Sequence, residues 1–261
     1  RDAGRGEEAM RRIAAEAPAG SIRFARLDLA DLTSVRDFSA RLQVEGWPID
    51  ILVNNAGVMG RQTREVSVDG FERVFATNTL GHFALTARLL PLLRRATQPR
   101  IVWVSSSRTA PALPFDDLQL ERDYGYAAAY DNTKLANLLL AFELDRRSRA
   151  AGWNIASIAS HPGVARTNLI PSGPGLDSAE GWRFRMLPFM FQSPSDGALP
   201  TLYAATSAQA ASGGYFGPNG FGGIRGLPGT VAIPQAAQDA QAAATLWAAL
   251  ESMGQVSLAN W

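Results

Sequence analysis

Short runs of β-branched and apolar residues alternate along the chain with longer stretches whose apolar positions recur every three to four residues. The first pattern predicts buried strands at Ile22–Leu27, Ile49–Asn54, Arg100–Ser105 and Asn154–Ser160, with a weaker fifth around Gly214–Phe216. The second predicts helices at Gly6–Ala17, Thr33–Glu45, Gly70–Ala96 and Ala127–Ala150, the third of these broken or bent near Pro91, and a closing helix at Gln235–Ser252. Strand and helix in alternation imply a parallel sheet with helices on both faces, an α/β doubly wound arrangement in a single domain over residues 1–261. Each of the four main strands runs into Asp, Asn or Ser, and ligands of such sheets bind just beyond the carboxyl ends of the strands. The stretch Ile170–Gln192 is rich in Gly and Pro, partly aromatic and without clear period. It reads either as a surface loop or as a substrate lid, and its length and its place after a strand end favour the lid.

Composition narrows the function classes. A chain of 261 residues, 46% hydrophobic, is long enough for one large core. A formal net charge of +1 provides no long-range field to gather polyanions, so neither nucleic acid nor an anionic membrane is an expected partner. Cysteine is absent, which excludes disulfides, thiolate metal sites and cysteine nucleophiles, so any redox chemistry requires a cofactor. Apolar runs such as Ala84–Leu93 are interrupted by Arg88 and Pro91 and fall short of the roughly 20 residues of a membrane span. With no signal peptide in view either, a cytoplasmic location is the expectation. The chain opens on Arg1 and runs at once into an amphipathic helix typical of a domain's interior, so a further segment upstream is also expected.

Lys134 is the only lysine; the other 24 of the 25 basic residues are arginine. An ammonium is a compact point charge with three rotatable donors, suited to ribose hydroxyls and to a neighbouring phenol in a way a planar guanidinium is not. Tyr130 lies four residues earlier on a helical pattern, so the two side chains share a face. A phenol with a pKa near 10 is a poor base at neutral pH, and an adjacent cation favours its ionised form. Upstream, Arg100–Ser107 is a buried-type strand ending in three hydroxyls, at least two of which read as turn formers. Asp50–Gly57 is another, closing on the tight turn Asn54-Asn55-Ala56-Gly57, whose small residues let a flat ligand approach the backbone. Asn78 and Gly81 sit inside a helical pattern that neither favours, a local inconsistency expected at functional sites.

Asn54-Asn55-Ala56-Gly57, Asn78, Ser106, Tyr130 with Lys134, and Pro162-Gly163 with Thr167 stand in the order and approximate spacing of the short-chain dehydrogenase/reductase family, and the chain resembles that family over nearly its whole length. The Arg1-Asp2 start, Leu27-Asp28-Leu29 and Lys134-Leu135-Ala136-Asn137 resemble its retinol dehydrogenase and protochlorophyllide reductase branch. The resemblance implies a Rossmann-type sheet and hydride transfer between a nicotinamide cofactor and a carbonyl or alcohol substrate, a hydrophobic one, with a homo-oligomer left open. It implies that Tyr130 is the general acid/base, that Ser106, rather than Ser105 or Ser107, bonds the substrate oxygen, and that Lys134 holds the nicotinamide ribose and lowers the Tyr130 pKa. Asn78 would bend its helix and anchor a relay to Lys134. For the cofactor, Asp28 and Leu29 would meet adenine, Asn55, Ala56 and Gly57 the adenine-ribose side, and Pro162, Gly163, Ala165 and Thr167 the nicotinamide end. Arg1 matches the basic residue that accepts a 2′-phosphate, which makes NADP the expected cofactor and NAD the alternative.

Nothing before Asp28 resembles the family's glycine-rich pyrophosphate loop, and Gly4-Arg5-Gly6 follows no strand. The fold is thus expected to lack its first strand-helix-strand unit, leaving Ile22–Leu27 without neighbours, Ile49–Asn54 exposed along one edge, and the chain unstable and a poor dinucleotide binder. His82 and His161 have no ligand at metal spacing and read as structural, and Asp116, Asp117, Glu121 and Asp123 read as a solvated loop, so no metal is expected. Two competing readings are a non-catalytic dinucleotide sensor on the same fold and an extended-branch epimerase or dehydratase, which shares Tyr-x-x-x-Lys.

Overall fold

Two aspartates start the first two helices. Asp2 accepts from the Arg5 N–H at 3.1 Å and opens α1 (Ala3–Glu16); Asp31 accepts from the N–H groups of Thr33 and Ser34 and opens α2 (Leu32–Glu45), which ends on Gly46 in the left-handed region. The computed structural model describes residues 2–17 and 20–257. After α2 comes β1 (Ile51–Asn54), and then α3 (Arg73–Phe75), a π-helical turn (Ala76–Leu80) and α4 (Gly81–Leu93) without interruption. Next are β2 (Arg100–Val104), α5 (Tyr126–Ala151), β3 (Ala156–Ser160) and two short helices, α6 (Leu169–Ser172) and α7 (Ala179–Met186). The chain closes with α8 (Pro194–Thr206), the hairpin β4 (Tyr215–Gly220) and β5 (Arg225–Thr230), and α9 (Ala240–Gly254).

The five strands form one sheet in the order β1-β2-β3-β4-β5, parallel from β1 to β4 with β5 antiparallel at the far edge. This is the α/β Rossmann-type architecture the pattern implies. Side chains alternate across β2, so that Ile101 and Trp103 join Leu89, Leu90 and Leu138 of α4 and α5 and Trp247 of α9 on one face. Val102 points the other way, with Ile158 and Phe216, onto Ala204 and Ala205 of α8.

Four expectations are corrected. Ile22–Leu27 is not a strand: the segment enters no backbone ladder, and an extended run without a hydrogen-bonded neighbour is only coil. Gly70–Ala96 is not helical throughout. Residues 66–72 form a tight turn, with Ser67 N–H bonded to the Phe71 carbonyl, and the helix starts only where Glu72 accepts from the N–H groups of Val74 and Phe75. Nor does it break at Pro91, which lies in its last turn; its irregularity is the π turn around Asn78. Finally, β5 was not foreseen, because Gly226, Pro228 and Gly229 hide its pattern, and a proline is tolerated there since β5 is an edge strand. The 170–192 stretch is folded into α6, α7 and a 3-10 turn (Pro188–Met190), its end tied back by Gln192, whose N–H reaches the Val164 carbonyl and whose side-chain amide reaches the Pro162 carbonyl at 2.6 Å.

Candidate active site

Lys134 is built in from below. Helix α5 carries it across the carboxyl end of β2, where its Nζ donates to the Val104 carbonyl at 3.1 Å and Asn137 donates to the same oxygen at 3.2 Å. The Ser105 hydroxyl donates to the Lys134 carbonyl at 2.7 Å, so the first of the three serines fastens the helix to the strand. Ser106 lies on the Tyr130 side, where its hydroxyl favours the ionised phenol, and Ser107 is exposed. The Arg108 N–H donates to Ser106 Oγ at 3.2 Å, and the Tyr215 hydroxyl donates to the Ser106 carbonyl at 2.8 Å. Since Ser106 Oγ already accepts from Arg108, its own proton is left for the phenol or for a ligand oxygen.

Asn78 joins this group from the opposite wall. Its amide accepts from the Val58 N–H at 2.8 Å and donates to the Val58 carbonyl and to Thr133 Oγ1, while Thr133 donates to the Tyr130 carbonyl at 2.7 Å. Asn78 therefore pins the turn after β1 to the helix that carries Tyr130 and Lys134. Next to it, the exposed strip Asn55, Ala56 and Gly57 lies open. A Cβ on Gly57 would sit 3.5 Å from Asn78 Oδ1 and 3.6 Å from Lys134 Nζ, so any side chain there would occupy the space in front of the ammonium.

The structure thus brings Asn78, Ser106, Tyr130, Lys134 and Gly57 together. Pro162, Gly163, Ala165 and Thr167 form a separate rim on the loop after β3. Gly163 takes φ +62° where its backbone meets the Ile224 carbonyl, and Thr167 is exposed. Leu29 is buried on the far side of the π turn, its carbonyl so close to Gly81 that a Cβ there would lie 2.2 Å from the oxygen, and the Asp28 carboxylate accepts from the Ala30 N–H. Arg1 lies outside the described residues. Arg108 and Thr133 escaped the sequence reading, because an arginine in a loop and a threonine inside a helix carry no spacing signal of their own, and Asn137 entered it only as part of a motif, without a role.

The electrostatics differ from what the resemblance implies. The phenol is not lowered: burial pushes Tyr130 up to about 12, offset in part by the Ser106 hydrogen bond and the charge of Arg108. Lys134, 5.3 Å from the Tyr130 ring centroid, is itself buried and held down at about 8. At neutral pH this places a proton on both groups. Burial also lowers His82 and His161 to about 4; His82 bonds the Asn78 carbonyl through Nδ1 and His161 accepts from the Gly163 N–H, so both are neutral packing groups. A surface cleft of about 680 Å³ opens elsewhere, between Phe191, Asp196, Arg225 and Leu227, and contains none of Ser106, Tyr130 and Lys134.

Residues 1–172 match the sequence family described as short chain dehydrogenase. The chain belongs to that family. Within it, this chain is 39% identical over 207 residues to retinol dehydrogenase 14 of Homo sapiens, covering 76% of this chain and 59% of the relative. It is 39% identical over 209 residues to polyprenol dehydrogenase of Danio rerio, covering 78% and 64%. These relatives place it in the retinol dehydrogenase-like branch, although it spans less than two thirds of their length. Among solved structures, the chain superposes on an uncharacterised protein from Mycobacterium Paratuberculosis with a TM-score of 0.73 at 37% identity, over 95% of this chain and 81% of that one. Among the described residues no helix is long and apolar enough to cross a membrane.

Proposed function

We propose that the protein interconverts a hydrophobic alcohol and its carbonyl compound by hydride transfer with NADP, Tyr130 serving as the proton donor and acceptor. The observation that carries this reading is the placing together of the Ser106 hydroxyl, held by the Arg108 N–H, the Tyr130 phenol, and the Lys134 ammonium 5.3 Å from the phenol's ring centroid. The names of the relatives, retinol and polyprenol dehydrogenases, support an apolar substrate, as do the exposed apolar side chains of Leu176, Trp182 and Met186 along the lid.

The residues present fit the nicotinamide half of the cofactor. Lys134 Nζ uses one of its three donors on Val104, leaving two for ribose hydroxyls, and the space in front of it is kept clear by Gly57. A nicotinamide bound there supplies or accepts the hydride. In the reducing direction Ser106 donates a hydrogen bond to the carbonyl oxygen and polarises it. Tyr130, held protonated by its surroundings, passes its proton to that oxygen as the alkoxide develops. The positive charge of Arg108, which favours the ionised phenol, stabilises the phenolate left behind. In the oxidising direction the proton returns along the same path.

The choice of NADP rests on Arg1; the neighbouring acid, Asp2, caps α1 through the Arg5 N–H. Steady-state kinetics with a panel of long-chain aldehydes and ketones should give the higher kcat/KM with NADPH. A preference for NADH would overturn the cofactor assignment, and no turnover with either across the panel would overturn the activity.

A further inference from the structure

The lid helix α7 is bracketed at both ends. Its Ser178 cap accepts from the Gly181 N–H at 3.0 Å, which fixes Glu180 in the first turn. The Glu180 side chain is 13% exposed, and it reaches back to the start of α5 and to the loop after β2: Oε2 accepts from the Tyr126 hydroxyl at 2.7 Å and Oε1 lies 3.7 Å from Arg108 Nη1. Arg108 is held from its other side by Asp131, Nε to Oδ1 at 2.7 Å. Tyr126 begins the helix that carries Tyr130, and Asp131 follows Tyr130 directly. Toward the other end of α7, Phe184 packs on Phe191 and beneath the Arg166 guanidinium, which is 4.8 Å from its ring centroid and lies between Ala165 and Thr167 of the β3 loop.

We propose that Glu180 is a positioning residue for the reaction: by joining Arg108 and Tyr126 it latches α7 over the Ser106–Tyr130 pair and fixes the mouth through which the substrate's reactive end enters. An exposed ion pair would contribute little, but a carboxylate that is largely sequestered and shared between a guanidinium and a phenol is a fixed strut. Glu180 also acts at a distance of one residue from the chemistry. The Arg108 side chain it helps to hold belongs to the same residue whose N–H orients the Ser106 hydroxyl, so releasing the guanidinium loosens the group that meets the substrate oxygen. The latch engages the substrate side of the groove and leaves the Lys134 and Gly57 side untouched. It therefore separates substrate capture from cofactor binding.

The inference rests on the proposed dehydrogenase activity for its kinetic half only. Glu180→Ala should raise KM for the carbonyl substrate on the order of tenfold, lower kcat less than threefold and leave NADPH affinity, read by fluorescence titration, unchanged. Glu180→Gln keeps an acceptor for Tyr126 but loses the charge toward Arg108, and should fall between wild type and Glu180→Ala. Independently of turnover, tryptic cleavage after the exposed Arg183 and Arg185, followed by mass spectrometry under native conditions, should be several-fold faster in Glu180→Ala. A lower melting temperature with unchanged KM and unchanged cleavage would make Glu180 merely structural and overturn the latch. If wild type turns over no substrate, the activity reading fails by itself, and the cleavage rates then decide: faster in the variant supports the latch, equal rates reject it.

Discussion

Among the three serines that close β2, the sequence offers no means of choosing; hydrogen bonding does. Ser105 is engaged with the Lys134 carbonyl and Ser107 is exposed, which leaves Ser106 facing the phenol. Legible at this scale were the residues whose type is costly in its context, a lone lysine four positions from a tyrosine and an asparagine inside a helix. The partners that hold them were not legible, because Val104 and Val58 act through backbone atoms that any residue would provide. His82 offers a test of the buried wall behind Asn78. Its ring is kept neutral by burial, with the Lys134 charge adding to the effect, so its pKa falls from about 6.5 to about 4 on folding. Below pH 6.5 the unfolded chain takes up a proton that the folded one refuses, so stability is full above that pH and is lost as pH falls toward 4. At 1.36 kcal/mol per unit this loss reaches about 2–3 kcal/mol near pH 4.5. Urea unfolding at pH 7 and pH 4.5 should therefore show a smaller acid loss in His82→Asn, which keeps a donor for the Asn78 carbonyl; equal losses in both proteins would show that His82 titrates normally.

At the scale of the elements, the π turn explains a glycine that helix propensity argues against. Gly81 stands where the Leu29 carbonyl touches the helix, and the widened turn before it presents Asn78 to the β1 turn. Periodicity revealed the helix but not its register change, because one extra residue in a turn barely disturbs an apolar stripe. It also missed the β4–β5 hairpin, whose glycines and prolines read as loop, and it over-read Ile22–Leu27, since β-branched character cannot supply a neighbouring strand. Replacing Gly81 by alanine should favour the isolated helix by about 1 kcal/mol. Here the clash with backbone should outweigh that gain and destabilise the protein by about 1–3 kcal/mol, displacing Leu29. Chemical denaturation would show it as a lower midpoint with an unchanged slope. A midpoint equal to or above that of wild type would mean that the Leu29 contact is soft.

For the molecule as a whole, a parallel sheet covered by helices followed from the alternation of patterns, whereas the strand order did not and Ile22–Leu27 was over-read; the candidate site lies beyond the carboxyl ends of β1 and β2. Among the described residues the sheet ends at β1 with Ile51 and Val53 41% and 38% exposed, an apolar edge of the kind that can pair with another chain. Val53→Lys should therefore reduce self-association of the 261-residue chain in sedimentation velocity while shifting unfolding by no more than about 1 kcal/mol. Association equal to that of the parent would place the contact elsewhere. The central claim is that Tyr130 moves the proton while Lys134 and Gly57 serve the cofactor, and it is tested most directly by one comparison: NADPH oxidation with a hydrophobic aldehyde by wild type and Tyr130→Phe, alongside NADPH titration of both. The account expects turnover in the phenylalanine variant to fall by about 10²- to 10⁴-fold with NADPH affinity nearly intact. Turnover retained above roughly a hundredth of wild type would contradict it and remove Tyr130 from the role of acid and base.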